Sequence, residues 1–222
     1  MNANIIRPTP EPTLRRLPAY HRVLQRLLDR GRTVVSCTHI AEDLGLDSTQ
    51  VRKDLAATGI IGKPKVGYAV PALIDSIETY LGWKNVTDAF VIGAGHLGGA
   101  LLGYDGFKAY GLNILSAFDN DPAKIGTTIY GKDVLPMDKL PDLVERMHVG
   151  IGILTVRAAS AHEVADIMVM AGIKAIWNFT QVKLQVAPSI IVENMDLSAS
   201  LAVLSRKLAE RNEVSVSPVI PL

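Results

Sequence analysis

Apolar residues recur along this chain in two rhythms, and the change from one to the other divides it. Between Leu14 and Arg30 they fall at Leu17, Tyr20, Val23, Leu24, Leu27 and Leu28, the spacing of one helix face. Arg15, Arg22, Arg26 and Arg30 lie mostly elsewhere. Pro18 is expected in the first turn, where a missing N–H costs little, and Gly31 ends the helix. After Val34-Val35-Ser36, Thr38 is expected to cap a short helix with Ile40, Ala41 and Leu44 inward. Gly45-Leu46-Asp47 turns the chain. Ser48 to Ala57 then reads as a further helix, capped by Asp47 or Ser48, with Val51 and Leu55 inward. Gly59 to Val70 carries two short apolar runs around Gly62-Lys63-Pro64-Lys65 and reads as a β-hairpin with lysines at its tip. Pro71 to Leu81 places Leu73, Ile74, Ile77 and Leu81 on one face and is expected to link this part to the next.

Beyond Gly82-Trp83-Lys84-Asn85 the rhythm becomes that of strands alternating with helices. Ala89–Ile92, Asn113–Phe118, Val149–Val156, Ala175–Phe179 and Ile190–Val192 read as strands, and Ser160–Ala171 as a helix. Asp196 caps a final helix running to about Arg211, with Leu197, Leu201, Leu204 and Leu208 on it. The alternation predicts an α/β fold with a mostly parallel, doubly wound sheet. The apolar stripes of the last helix are strong for a peripheral element and predict packing on a second subunit.

The turn after the first strand carries chemistry. Gly93-Ala94-Gly95-His96-Leu97-Gly98 is G-x-G-x-x-G between a strand and a helix, the setting a dinucleotide-binding loop needs. Gly93 makes the tight turn, Gly95 leaves room for a pyrophosphate, and Gly98 lets the helix pack closely on the sheet. The phosphates would face the helix's N-terminal N–H groups. Asp119, 21 residues after Gly98, stands where such a Rossmann unit puts the carboxylate that binds the adenosine ribose. An acid without an adjacent arginine favours NAD(H) over NADP(H). Asp119-Asn120-Asp121-Pro122 is also turn-rich, so a purely local role stays open.

Net charge sharpens the division. Residues 1–68 carry 11 Lys+Arg against 6 Asp+Glu, a net of +5, and the remainder a net of −4. A polyanion partner for the first part alone is implied. Short helix, Gly-containing turn and second helix form the helix-turn-helix pattern. Ser48, Thr49, Gln50, Arg52 and Lys53 near the start of its second helix are the types that bond base edges and phosphates in a major groove. Lys63 and Lys65 on the hairpin wing suit the backbone or a minor groove. A helical domain with a solvated basic face, or a protein–protein module, is the alternative.

These readings divide the chain into a flexible N-terminus (1–13), a winged helix-turn-helix DNA-binding domain (14–82), a Rossmann NAD(H)-binding domain (83–212) with a dimerisation helix (196–211), and a tail (213–222). One cysteine, Cys37, excludes internal disulfides and cysteine-only zinc sites, and a reducing cytoplasm is expected. The N-terminus lacks a secretory signal pattern, and no apolar run is long enough to span a membrane. Of the histidines, His21 and His39 belong to the first domain, His96 to the glycine loop, His148 precedes a strand and His162 opens a helix. None is placed as a proton relay, and no metal-binding or nucleophile motif appears. A ligand-binding regulator is expected rather than a catalyst. The alternative is a small NAD-dependent oxidoreductase with an appended interaction domain.

At Gln50-Val51-Arg52-Lys53-Asp54-Leu55 the chain resembles the Rex family of redox-sensing transcriptional repressors. The resemblance extends through G-x-x-x-V-G-Y ending at Tyr68, V-I-G-x-G-x-L-G at 91–98, F-D-x-D-P at 118–122 and V-E-N-M-D at 192–196, covering roughly residues 14–208. It implies a homodimer that binds operator DNA and NAD(H), exchanges its C-terminal helix between subunits, and leaves DNA when NADH is high relative to NAD+. Genes of redox and fermentative metabolism would then be controlled. It also brings Thr155, Val156, Arg157 and Asn178 into the cofactor site. Tyr104 and Asp196 match a switch pair, and Arg22 lies where an arginine is offered to that aspartate. Departures are Ala56-Ala57-Thr58-Gly59 for the usual Ser-Tyr-Phe-Gly, Pro64-Lys65 in the wing, Arg157 for Pro, Thr180-Gln181 for Ala-Pro, and Leu197 for Phe. Arg157, Thr180, Gln181 and Leu197 are expected near the nicotinamide end of the pocket.

Overall fold

A computed structural model describes residues 9–214 of the chain. These fall into two units, residues 9–86 with Ala109–Gly111, and Thr87–Lys108 with residues 112–214. The division lies beyond the expected 82/83 because Trp83 packs edge-on against His21, with ring centroids 5.2 Å apart, and against Tyr110 at 4.6 Å. The expected N-terminal segment 1–13 and tail 213–222 lie partly outside the described residues.

In the first unit, helix α1 (Glu11–Asp29) begins before Leu14. Thr13 is buried and donates a 2.9 Å hydrogen bond to Asp54 Oδ1, so residues 11–13 are helical rather than a loose end. Pro18 therefore sits inside α1, not in its first turn, and removes the N–H that would reach Leu14. Strand β1 (Val34–Val35) leads to α2 (Cys37–Leu44). Ser36, not Thr38, caps α2 by accepting the His39 N–H at 3.1 Å. Gly45 closes it at φ 64°, a conformation that favours glycine. Helix α3 (Ser48–Ala57) is capped by Asp47, which accepts from the Thr49 and Gln50 amides at 2.8 and 3.1 Å.

The wing is shorter than a two-armed hairpin. Strand β2 (Tyr68–Ala69) pairs antiparallel with β1, Lys63 and Gly67 form one bridge, and 59–62 adopt no strand. A Cβ on Gly62 would lie 2.9 Å from the Tyr68 ring, so ring packing takes the place of a ladder there. Helix α4 (Val70–Tyr80) is not a free link. It buries Val70, Leu73, Ile74 and Ile77 with Leu17, Leu24, Ile40, Val51 and Leu55 in the core of the first unit.

The second unit is a seven-stranded sheet ordered β5-β6-β4-β3-β7-β8-β9. Its strands are β3 (Thr87–Ile92), β4 (Leu112–Asp119), β5 (Thr128–Ile129), β6 (Lys132–Pro136), β7 (Ile151–Leu154), β8 (Ala175–Asn178) and β9 (Ile191–Asn194). All neighbours pair in parallel except β5 with β6. Without β5 the order is that of the Rossmann fold, reversing between β3 and β7. Along β3 the side chains alternate. Ala89 and Val91 join the core on the side of α5 (His96–Leu102), while Phe90 and Ile92 join that of α6 (Leu140–Met147) and α7 (Ala161–Met170). The hairpin β5–β6 is too short to show a period, and helix α6, although Leu140, Leu143, Val144 and Met147 mark one face of it, spans only about two turns; the sequence reading omits both. Helix α8 (Leu197–Val214) runs past Arg211 and leaves Leu201, Val203, Leu204 and Leu208 exposed. Among the described residues, no helix is long and apolar enough to cross a membrane.

Candidate functional site

The ends of β3 and β7, where the sheet order reverses, open onto a cleft of about 1170 Å³. Nine of the expected cofactor residues line it: Gly93, Ala94, Gly95, His96, Leu97, Asp119, Thr155, Val156 and Arg157. Gly93 turns at φ 103°, against Thr155 and Val156. Gly98 lies beneath the loop, where a Cβ would stand 2.0 Å from the Gly93 carbonyl oxygen. Gly95 faces open space, with nothing within 4 Å of a Cβ built on it. The three glycines thus serve turn, approach and packing separately. Thr155 Oγ1 donates to the carbonyls of Gly93 and Ile92 at 2.7 and 3.1 Å, tying the end of β7 to the loop.

Asp119 is buried at the end of β4, and its carboxylate organises the loop. Oδ2 accepts from the Ala94 amide at 2.8 Å and from Lys124 Nζ at 3.0 Å, and Oδ1 accepts from the Asp121 amide at 2.9 Å. Burial pushes its pKa up, but the Asp121 amide, Lys124 and the Ala94 amide outweigh that and lower it. A carboxylate has about four acceptor positions, so one remains for a ligand hydroxyl. The turn role and a ligand role are compatible. Lys124, which the sequence reading missed, also reaches Asp121 at 3.6 Å. The acid therefore has a cation beside it, although no arginine. Met137, Val164 and Ile167 give the cleft an apolar wall suited to a flat ring.

Asn178 is absent from the cleft lining. It is buried, and its amide is fully engaged: Nδ2 donates to Val182 O and Asn194 Oδ1, both at 2.8 Å, and Oδ1 accepts from the Thr180 amide and hydroxyl. It braces the turn after β8 against β9. The departures expected at one end of the pocket are also dispersed. Arg157 lines the main cleft, Thr180 is buried against Asn178, and Gln181 lines a separate depression of about 300 Å³ with Asn194, Asp196 and Ser198. The side chain of Leu197 lies outside the described residues.

In the first unit, Thr49, Arg52, Lys53, Lys63 and Lys65 are exposed, and Ser48 is half-buried. Gln50 is half-buried as well, because its Nε2 donates to Asp54 Oδ1 at 3.0 Å. The sequence reading missed Asp54 itself. Its carboxylate also accepts from Thr13, from Arg16 Nε and Nη2 at 2.6 and 2.9 Å, and from Tyr20 OH at 2.6 Å. Burial alone would raise its pKa, but the bonds from Arg16, Tyr20, Thr13 and Gln50 hold it at about 2. The available signal was an acid on the apolar line of Val51 and Leu55, since a buried carboxylate requires donors. Of the expected switch residues, Arg22 is exposed on α1. Tyr104 is exposed, with its ring edge-on to Phe107 at 4.8 Å. Asp196 caps α8 by accepting from the Ser198 and Ala199 amides.

Two family models match the chain, one described as "CoA binding domain" over residues 84–182 and one as "Putative DNA-binding protein N-terminus" over residues 9–56. The chain is similar to the redox-sensing transcriptional repressor Rex of Treponema denticola, 50% identical over 87% of this chain and 92% of the relative. It is also similar to the crystal structure of RSP in complex with β-NAD+ and operator DNA. That likeness has a TM-score of 0.86 and 35% identity, covering 94% of this chain and 96% of the other. The crystal structure of RSP with β-NADH matches with a TM-score of 0.85 and 35% identity, over 93% and 97%.

Proposed function

The chain belongs to the Rex family of redox-sensing transcriptional repressors, and we propose that its first unit holds operator DNA and lets go when the cleft of its second unit fills with NADH rather than NAD+. It is a regulator, not an enzyme. The observation that carries the effector reading is the loop at Gly95, open to solvent while Asp119 pins its neighbour Ala94. An open amide-lined turn held rigid in advance is what a pyrophosphate needs. The acceptor position left on Asp119 would take a ribose hydroxyl, and Met137, Val164 and Ile167 would pack against the adenine.

For DNA, Thr49, Arg52 and Lys53 stand on the first turns of α3 for the major groove, with Lys63 and Lys65 on the wing for phosphates or the minor groove. Arg22, Tyr104 and Asp196 are the switch residues in this reading. The exposed Leu201, Val203, Leu204 and Leu208 of α8 favour a homodimer in which this helix packs on, or exchanges with, a second copy. A cytoplasmic location fits a DNA-binding protein whose one cysteine is unpaired.

The test is duplex DNA binding at several NADH:NAD+ ratios. Affinity is expected to fall as NADH replaces NAD+, and to fall steeply with salt because phosphates are neutralised. Arg52→Ala should weaken DNA binding and leave NADH binding intact. DNA affinity indifferent to micromolar NADH would overturn the redox reading and leave the DNA reading standing.

A further inference from the structure

We propose that Asp54 is a positioning residue for DNA recognition, which holds the Gln50 amide in the one orientation that reads adenine in the major groove. The proposal rests on the DNA-binding reading of α3. Gln50 is the third residue of that helix, in the turn whose side chains reach base edges in helix-turn-helix proteins.

A free glutamine amide can present either its oxygen or its nitrogen to a base. Here one end of the amide is committed. Gln50 faces Asp54 Oδ1 at 3.0 Å, and an ionised carboxylate only accepts hydrogen bonds. Asp54 stays ionised throughout the neutral range, with Arg16, Tyr20 and Thr13 donating to it from α1. The group facing it must therefore be Nε2, which leaves the amide no flipped alternative. Among the described residues, the one hydrogen bond of the Gln50 side chain is that from Nε2 to Asp54. Among the described residues no buried side-chain oxygen or nitrogen lacks a partner, so Oε1 reaches solvent.

What remains free is one acceptor, Oε1, and the second hydrogen of Nε2. Adenine offers the complementary pair in the major groove, a donor at N6 and an acceptor at N7, whereas guanine offers acceptors at both O6 and N7. The side chain is immobilised before DNA arrives, because three residues of α1 fix its partner. Little conformational freedom is then left to lose on binding. Asp54 touches no base in this account and acts through Gln50.

The experiment is selection from a pool of randomised duplex DNA, then affinity measurement on the selected duplex and its single-pair variants. The wild-type chain should select A·T at one position contacted by α3. Gln50→Ala should lose that preference alone, by roughly 5- to 150-fold, the range of a bidentate base contact. Asp54→Asn should relax the same position although Gln50 is present, since an amide partner can donate as well as accept. Tyr20→Phe removes a donor to Asp54 but not the Gln50 bond, and should keep the preference even if the chain melts earlier. An unchanged preference in Gln50→Ala, a lost position that had selected G·C, or an unchanged preference in Asp54→Asn overturns the proposal; should Asp54→Asn fail to fold, Gln50→Ala still tests the adenine contact on which the role of Asp54 depends. A wild-type chain that selects no sequence overturns the sequence-specific DNA reading along with it.

Discussion

The Asp119 carboxylate accepts a 2.8 Å hydrogen bond from the amide of Ala94, 25 residues earlier in the chain. The acid expected to hold a ribose is thus also the clamp that shapes the glycine loop. Asp119→Ala would leave the Ala94 and Asp121 amides and Lys124 without their acceptor. It should lower stability by about 1–3 kcal/mol and weaken NADH binding by about 10-fold or more. Calorimetric titration and thermal melting measure the two effects. Parental NADH affinity in the variant would leave Asp119 a turn residue only.

Gly95 and Gly98 should respond in opposite ways to the same methyl group. At Gly98 an added Cβ meets the Gly93 carbonyl at 2.0 Å, so Gly98→Ala should destabilise the second unit by roughly 1–3 kcal/mol or more. Gly95→Ala meets no protein atom within 4 Å. It should melt like the parent yet bind NADH more weakly, because the methyl occupies the phosphate's approach. Unaltered NADH affinity in Gly95→Ala would place the pyrophosphate elsewhere.

Acid should loosen the first unit through Asp54. The folded pKa lies at about 2, below the ordinary 3.8. The contribution is therefore complete above about pH 4 and fades as pH falls toward the folded value. Its size is at most roughly 2–3 kcal/mol. Denaturant titrations of the parent and of Asp54→Asn at pH 7 and pH 2.5 should differ more at pH 7. A constant difference would mean that the carboxylate charge is not what stabilises α3 against α1.

Helix α8 should decide oligomeric state. Leu204→Lys combined with Leu208→Lys replaces two exposed apolar side chains, 65% and 57% accessible, with charges. In sedimentation the parent should be a dimer and the variant a monomer, with weaker DNA binding because two half-sites are no longer engaged together. A dimeric double variant would exclude α8 as the dimer contact.

Much of the cleft was readable in the one-dimensional pattern. Gly93, Gly95 and Gly98 have separate steric duties that the order of elements around them already implies, and Asp119 stands at the end of the strand that the apolar run predicts. Lys124 was not readable, because it pairs with Asp119 only after the Asp121 turn folds it back. Asn178 was not readable either: the resemblance brings it into the cofactor site, while its amide is engaged within the protein by Thr180, Val182 and Asn194.

By itself, the sequence determined the alternation of strands and helices, the helix-turn-helix, and the glycine loop, because each depends on residues close together in the chain and on a short repeat of apolar positions. Only the tertiary structure decided what the polar groups do. Asp54 meets Arg16 and Tyr20 of α1 more than thirty residues away in sequence, and Trp83 draws the boundary of the first unit outward. Such groups find their partners through burial, where an unmatched charge or amide is costly. No local pattern records which partner will be within reach once the core has closed.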